Sequence, residues 1–339
     1  MSKPGNGLTG LVNLGNTCFL NSCMQALSHT KELSDIINAN EFAPLKKDLP
    51  ENTIIMEWNN LRDVMWLKDG TVSPKRFVHN IQQLAIKKDR ELFTGWAQND
   101  LPEFLLFLIE CMHNSISRSV KMNIKGKVHE NVDKLAMSCY NMLKTTYSKE
   151  YSEIMDLFYG IYVSELTSKN GKSIHSLTPE SYFILDLELP KANPSLYDCF
   201  DSFTKYEILE NENAWYNEKT KKKEDVKKRI TFWGFPKILI ITLKRFSFDG
   251  RKKIQGQVDC PLRNLDLSKY VSGYKAKQYV YDLYAVCNHS GGTQGGHYTA
   301  YVKTNSNVWV HFNDTQVTPN IPENKIITPK AYCLFYRKQ

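Results

Sequence analysis

The sequence predicts an α+β fold in which helices come first and strands follow. Apolar residues recur at helical spacing up to about residue 155, and from about 156 short runs rich in β-branched and aromatic residues take over. The chain has 339 residues, more than the roughly 100 to 200 of a single compact core, so one domain with several lobes, or two domains sharing a cleft, is expected.

The helical half is justified segment by segment. Residues 18 to 29 space Phe19, Cys23, Ala26 and Leu27 along one face, and 54 to 67 do the same with Ile54, Trp58, Leu61 and Met65. Ser73 and Pro74 read as a cap followed by proline at the first helical position, leading into Phe77, Val78, Ile81 and Leu84. Asp100 to Glu103 resembles a capping box with Asp as the cap, ahead of the apolar run Phe104 to Ile109. A further helix is predicted over about 128 to 146. Strands are then predicted at Phe158 to Leu166, Tyr182 to Leu189, Arg229 to Trp233, Lys237 to Phe246, Tyr281 to His289, His297 to Lys303, Val308 to Asn313 and Tyr332 to Arg337. One short helix, Leu196 to Lys205, interrupts them. No internal repeat is apparent.

Composition excludes several classes. Hydrophobic residues are 42% and charged residues 24% of the chain, a balance that supports a packed core rather than global disorder. Apolar runs such as Ile238 to Leu243 fall far short of the roughly 18 residues of a membrane span, and the opening residues lack the apolar core of a secretory signal. An intracellular location, cytoplasmic or nuclear, is therefore expected. Eight cysteines are scattered without disulfide-scaffold density, and no two stand two residues apart, so reduced thiols and no bound metal are expected. The net charge of +8 owes much to the run Lys219 to Arg229. With no aromatic residues interleaved to stack on bases, this run reads as a solvated hairpin tip, and no nucleic-acid partner is expected.

Two distant segments carry the chemistry. Cys18 follows Gly15, Asn16 and Thr17 and opens a predicted helix, where the helix dipole, helped by an imidazolium, is expected to lower the thiol pKa below roughly 8.5 and favour thiolate. Cys23 reads as buried filler. Asn13, in the glycine-containing turn before Cys18, could donate its amide to an oxyanion or could simply build the turn. His297 stands out among the eight histidines because Gly295 and Gly296 remove side chains beside it and let another backbone approach. His289 reads as structural, as do His79, His113, His129, His175 and His311. A Cys/His nucleophile pair so far apart in sequence requires the whole chain to fold as one catalytic unit. The strand returning from Val308 brings Asn313 and Asp314 near His297. A two-residue turn at Asn305 and Ser306 would place Asp314 opposite, a one-residue change would present Asn313, and propensity leaves both open.

These segments together resemble the ubiquitin-specific protease family, papain-like cysteine peptidases that remove ubiquitin. The resemblance rests on the cysteine box Gly10 to Ser22, the segment Gln98 to Phe104, Leu243 to Phe246, and the histidine box from Gly295 through Trp309 to Asp314. It implies Cys18 as nucleophile, His297 as general base, Asn13 as oxyanion donor and Asn313 as the residue orienting the histidine, with Asp314 the secondary candidate. It also implies that Gln98, Asp100 and Glu103 lie beside the cleft, where acidic residues meet arginines of the ubiquitin tail, and that Gly295 and Gly296 border the tail's Gly-Gly. The implied architecture is one catalytic domain over 1 to 339: a helical thumb at about 1 to 155, β-rich fingers at about 156 to 235 and a palm at about 236 to 339. Implied partners are ubiquitin and ubiquitinated proteins, engaged by a monomer without membrane or cofactor. A catalytically silent ubiquitin-binding scaffold, or a protease for another ubiquitin-like modifier, are the alternatives. The chain departs from the many family members that carry two Cys-x-x-Cys pairs in the fingers. The matching stretches, Ser164 to Ser173 and Tyr206 to Asn213, hold no cysteine, so fingers built without zinc are expected.

Overall fold

The computed structural model of the chain describes residues 5–40, 45, 48–246, 253–292 and 295–339. The thumb begins with a short strand β1 (Thr9–Leu11) and helix α1 (Cys18–Ser28), whose every residue is buried. A helix enclosed all round must satisfy its polar side chains internally. Gln25 Nε2 accordingly donates to the Thr9 carbonyl at 2.8 Å, and Asn21 Nδ2 to an Asp314 carboxylate oxygen at 2.8 Å.

Around α1 lie α2 (Lys31–Asn40), α3 (Asn52–Leu67), β2 (Gly70–Val72, parallel to β1), α4 (Lys75–Lys87), α5 (Leu101–Ile116), α6 (Asn131–Tyr147) and the short α7 (Glu153–Phe158). The residues expected to face inward on α3 and α4 do so: Ile54, Trp58, Leu61 and Met65, then Phe77, Val78, Ile81 and Leu84, are all buried. Helix α4 starts one residue later than expected, with Pro74 as its cap. Helix α2 escaped the sequence reading because few apolar residues, Leu33, Ile37 and the half-buried Ile36, anchor it to the core. Phe158 closes α7 rather than opening a strand.

The finger sheet begins with β3 (Gly160–Ser168) and β4 (Ile174–Tyr182), and the chain then crosses into the palm as β5 (Ile184–Glu188) and α8 (Leu196–Phe203). It returns as β6 (Glu207–Leu209), β7 (Trp215–Asn217), β8 (Lys222–Glu224) and β9 (Val226–Gly234). The finger sheet has the order β4-β3-β9-β6, and β7 pairs with β8 alone. The single strand expected at Tyr182 to Leu189 is thus two elements in two sheets, and the palm takes β5 and α8 out of the expected finger span. The reason is packing: Tyr182 and Phe183 are consecutive buried residues, which breaks the alternation and turns the following strand onto β10.

The palm continues with β10 (Ile238–Lys244), β11 (Leu265–Asp266), β12 (Val280–Gly291), β13 (Gly296–Lys303), β14 (Trp309–Asn313), β15 (Gln316–Thr318) and β16 (Ala331–Lys338). Its main order is β15-β14-β13-β12-β16-β10-β5, with β11 added against β12. One face of this sheet packs on the thumb helices through Ile238, Ile240, Ala300, Phe312 and Phe335, and the other forms a second core with α8 through Leu239, Ile241, Leu243 and Leu334. Burial on both faces explains why β10 reads as an unbroken apolar run. A small third cluster, Leu135, Cys139, Ile161 and Val163, seats α6 on the fingers.

Candidate active site

The Cys18 segment and the His297 segment are joined where β1 leads toward α1. Gly10 lies so close to the turn after β14 that a Cβ would stand 2.5 Å from the Thr315 carbonyl oxygen, and the Leu11 amide donates to the Asp314 carbonyl at 2.9 Å. Asn13 builds the next turn. Its Oδ1 accepts from the amides of Gly15 (3.0 Å) and Thr17 (3.1 Å), while Gly15 and Asn16 take positive φ. Its Nδ2 donates to Asp314 at 3.0 Å, and the second N–H of that amide has no acceptor among the described residues.

Cys18 is the first residue of α1 and is buried. The backbone amides of Tyr298, Phe19 and Cys18 itself favour its thiolate, and β13, which carries His297, packs against α1. The thiol pKa is nevertheless raised, which corrects the expectation of a lowered one: burial is the largest cause, the Tyr298 amide opposes it, and the Asp314 carboxylate raises it further. The helix terminus softens this effect without reversing it.

His297 Nε2 lies 2.6 Å from Asn313 Oδ1, and Asn313 Nδ2 donates to Gln316 Oε1 at 3.4 Å. An amide oxygen only accepts, so the ring proton sits on Nε2 and Nδ1 keeps its lone pair. The hairpin joining β13 and β14 pairs Ala300 with Phe312 and Lys303 with Trp309, a register one residue off that of a two-residue turn. Asn313 therefore shares a face with His297 as a diagonal neighbour. Asp314, at φ 49°, turns its carboxylate away to Asn13 and Asn21.

Beside this constellation a cavity of about 320 Å³ is lined by Gln98, Asp100, Phe246, His289, Gly295 and Tyr298, among others. The cleft residues expected to meet substrate have differing surroundings. Gln98 clasps backbone: its Oε1 accepts from the Gly296 amide at 2.7 Å and its Nε2 donates to the Gly296 carbonyl at 3.1 Å. Asp100 occupies the predicted cap position of α5 but makes no side-chain cap bond, because Tyr298 (2.8 Å) and Tyr332 (3.0 Å) draw its carboxylate away. Burial raises its pKa against those two hydroxyls. Glu103 is exposed, has no cationic partner among the described residues, and has its pKa raised by desolvation and by Asp100. Gly295 borders the cavity, whereas the space beside Gly296 is filled by the His289 ring, with which a Cβ would collide.

The sequence reading did not single out Tyr298, Tyr332, Asn21 or Phe246. Asn21 and Tyr298 lie inside the quoted boxes, so proximity to Cys18 and His297 was the available signal; Tyr332 gave none. The quoted Leu243 to Phe246 segment owes its arginine to folding: buried Arg245 donates to the carbonyls of Ala331 (2.6 Å), Ile254 (3.0 Å) and Gly256 (2.8 Å). Among the described residues no group of three or more His, Cys, Asp or Glu is placed to hold a metal ion. His175 packs against Trp215 and Cys199 is buried in the palm core. No described helix is long and apolar enough to cross a membrane.

Residues 9–336 match the family described as Ubiquitin carboxyl-terminal hydrolase. The chain belongs to that family. It is 36% identical over 352 residues to human Ubiquitin carboxyl-terminal hydrolase 2, covering 99% of this chain and 56% of that protein, and 34% identical over 362 residues to mouse Ubiquitin carboxyl-terminal hydrolase 21, covering 98% and 62%. The chain thus spans little more than half the length of these relatives, although it covers 94% of the Gallus gallus Ubiquitin carboxyl-terminal hydrolase 2, at 36% identity over 350 residues and 99% of this chain. Among solved structures, Ubp8 in a SAGA DUB module bound to monoubiquitin superposes with a TM-score of 0.77 at 22% identity, over 100% of this chain and 72% of that one. The fold is that of these α+β, papain-like deubiquitinase domains.

Proposed function

We propose that this chain is a cysteine deubiquitinase that hydrolyses the isopeptide or peptide bond after the C-terminal glycine of ubiquitin. The observation that carries the reading is the Asn313 to His297 hydrogen bond, which leaves a basic Nδ1 on β13, the strand packed against the helix that Cys18 opens. Family membership and the ubiquitin bound to the related fold support ubiquitin as the substrate.

In this reading the resting thiol of Cys18 gives its proton to His297 Nδ1 as the sulfur attacks the glycine carbonyl. The free N–H of Asn13 receives the developing oxyanion, with Asp314 holding that amide in place. His297 then protonates the leaving amine, and water attacks the acyl-enzyme with the same imidazole as base. The cavity beside Gly295 accepts the two glycines of the tail. Glu103, exposed and unpaired among the described residues, is the better placed carboxylate for an arginine of the tail, since the Asp100 oxygens already accept from two tyrosines.

Turnover of a fluorogenic ubiquitin amide tests the reading. The chain should hydrolyse it and Cys18→Ala should not. An intact, folded chain that binds ubiquitin without turnover would favour a silent scaffold, and turnover of another ubiquitin-like amide alone would change the substrate.

A further inference from the structure

His289, buried near the end of β12, is held by a residue outside the assignments above. Its ring fills the space left open by Gly296, which pairs with Gly291 in the β12–β13 ladder and directly precedes His297. A shift of that ring therefore moves the residue from which His297 springs. On its other side, Nζ of Lys253 lies 2.8 Å from His289 Nδ1, 2.7 Å from the His289 carbonyl oxygen and 3.3 Å from the Gly291 carbonyl oxygen. An ammonium has three N–H groups, and each here has an acceptor. Because an ammonium only donates, Nδ1 is the accepting nitrogen and the ring proton sits on Nε2. Burial, with Lys253 alongside, holds the His289 pKa down to about 4, so the ring is neutral and suited to accept.

We propose that Lys253 is a positioning residue, acting through His289 and Gly291 to fix Gly296, and with it His297, against the Gln98 clasp. The catalytic consequence rests on the deubiquitinase reading above. Gly296 is then gripped twice, by Gln98 at its amide and carbonyl and by the His289 ring at its Cα face. Gln98 and His289 also line the cavity, so the same clasp shapes the wall against which a glycine tail would lie.

Among the described residues, the charged and titratable groups facing Lys253 are Arg245, just after β10, Lys330, just before β16, and His289 of β12. None of these is a carboxylate. Burial, Arg245 and Lys330 together bring the Lys253 pKa down to about 8. A neutral amine has only two N–H groups for three acceptors, so the clasp loosens as pH rises through that value.

The test is hydrolysis of a fluorogenic ubiquitin amide by the full chain, between about pH 6.5 and 9.5, for wild type, Lys253→Met and Lys253→Arg, with melting temperatures taken in parallel. Lys253→Met should lose about tenfold to a hundredfold in kcat/KM, the scale of a misplaced reacting group. Lys253→Arg keeps its charge throughout, so its kcat/KM relative to wild type should rise as pH passes about 8. Wild-type kcat and KM in Lys253→Met, or a flat ratio for Lys253→Arg, would overturn the proposal. If Lys253→Met does not fold, the Lys253→Arg ratio decides. If the wild type itself is inactive, the deubiquitinase reading fails instead, and the clasp is judged from the His297 ring-nitrogen NMR resonances, which should move in Lys253→Met and would stay in place if Lys253 had no such role.

Discussion

Cys18 lies between opposing influences, and their balance sets its chemistry. Three amides favour thiolate, while burial and the Asp314 carboxylate favour thiol, and the net shift is upward. A raised pKa means that the thiolate fraction grows only as pH climbs. Alkylation of Cys18 by iodoacetamide in the free protein should therefore quicken through a midpoint above the ordinary thiol value, and Asp314→Asn should move that midpoint down by removing the charge. A midpoint below the ordinary value would contradict the assignment. The neighbouring pair at the end of β14 divides its labour by geometry. Asn313→Ala should reduce kcat by up to about a hundredfold through loss of the His297 tautomer and orientation. Asp314→Ala should lower kcat partly through Asn13, so its effect should be smaller in an Asn13→Ala background. Additive losses in that double-mutant cycle would show that Asp314 acts independently of Asn13. The Cys18 and His297 boxes could be picked out in the sequence because local turn chemistry marks them. The sign of the thiol shift could not, since desolvation of Cys18 comes from β13 packing against α1, and no spacing rule reports it.

The fingers raise a different question, what holds the tips of their β-strands in place. Asn217 Oδ1 accepts from the Lys219 amide at 2.9 Å, its Nδ2 donates to Glu224 at 2.9 Å, and Thr220 Oγ1 donates to the same carboxylate at 2.6 Å. Lys169 bridges Glu210 at 2.8 Å and Asp225 at 3.2 Å. The Lys169 ion pairs are exposed and individually weak, and the long pairing of β3 with β4 and β9 carries most of the order. Strong chelation should accordingly leave the melting temperature and ubiquitin-amide hydrolysis unchanged, and elemental analysis should find no stoichiometric zinc. One tightly held zinc per chain with chelator-induced unfolding would contradict this. At this scale the sequence located most helices and strands but misjudged the junction at Tyr182 and Phe183. An alternating run that changes sheets after one residue has the same local pattern as a single strand, and only the partners of β4 and β5 tell them apart.

At the scale of the molecule, the site exists only because the first and last segments of the chain meet. The palm sheet is covered by thumb helices on one face and by α8 on the other, and α1 runs from its buried N-terminus along β13. The α+β order and the pairing of the two boxes were legible because helical periodicity and strand vocabulary separate cleanly along the sequence. The clasps on Gly296 were not, because Gln98, Lys253 and His289 come from three elements that converge only in the folded sheet. The central claim is that this assembly makes Cys18 the nucleophile toward the end of ubiquitin. Incubation of the chain with ubiquitin bearing an electrophilic C-terminus, followed by mass spectrometry of the adduct, tests it most directly. The account predicts one adduct per chain on Cys18, abolished by Cys18→Ala and retained in Cys23→Ala. An adduct on Cys23 or another cysteine, or no adduct with a folded chain, would contradict it.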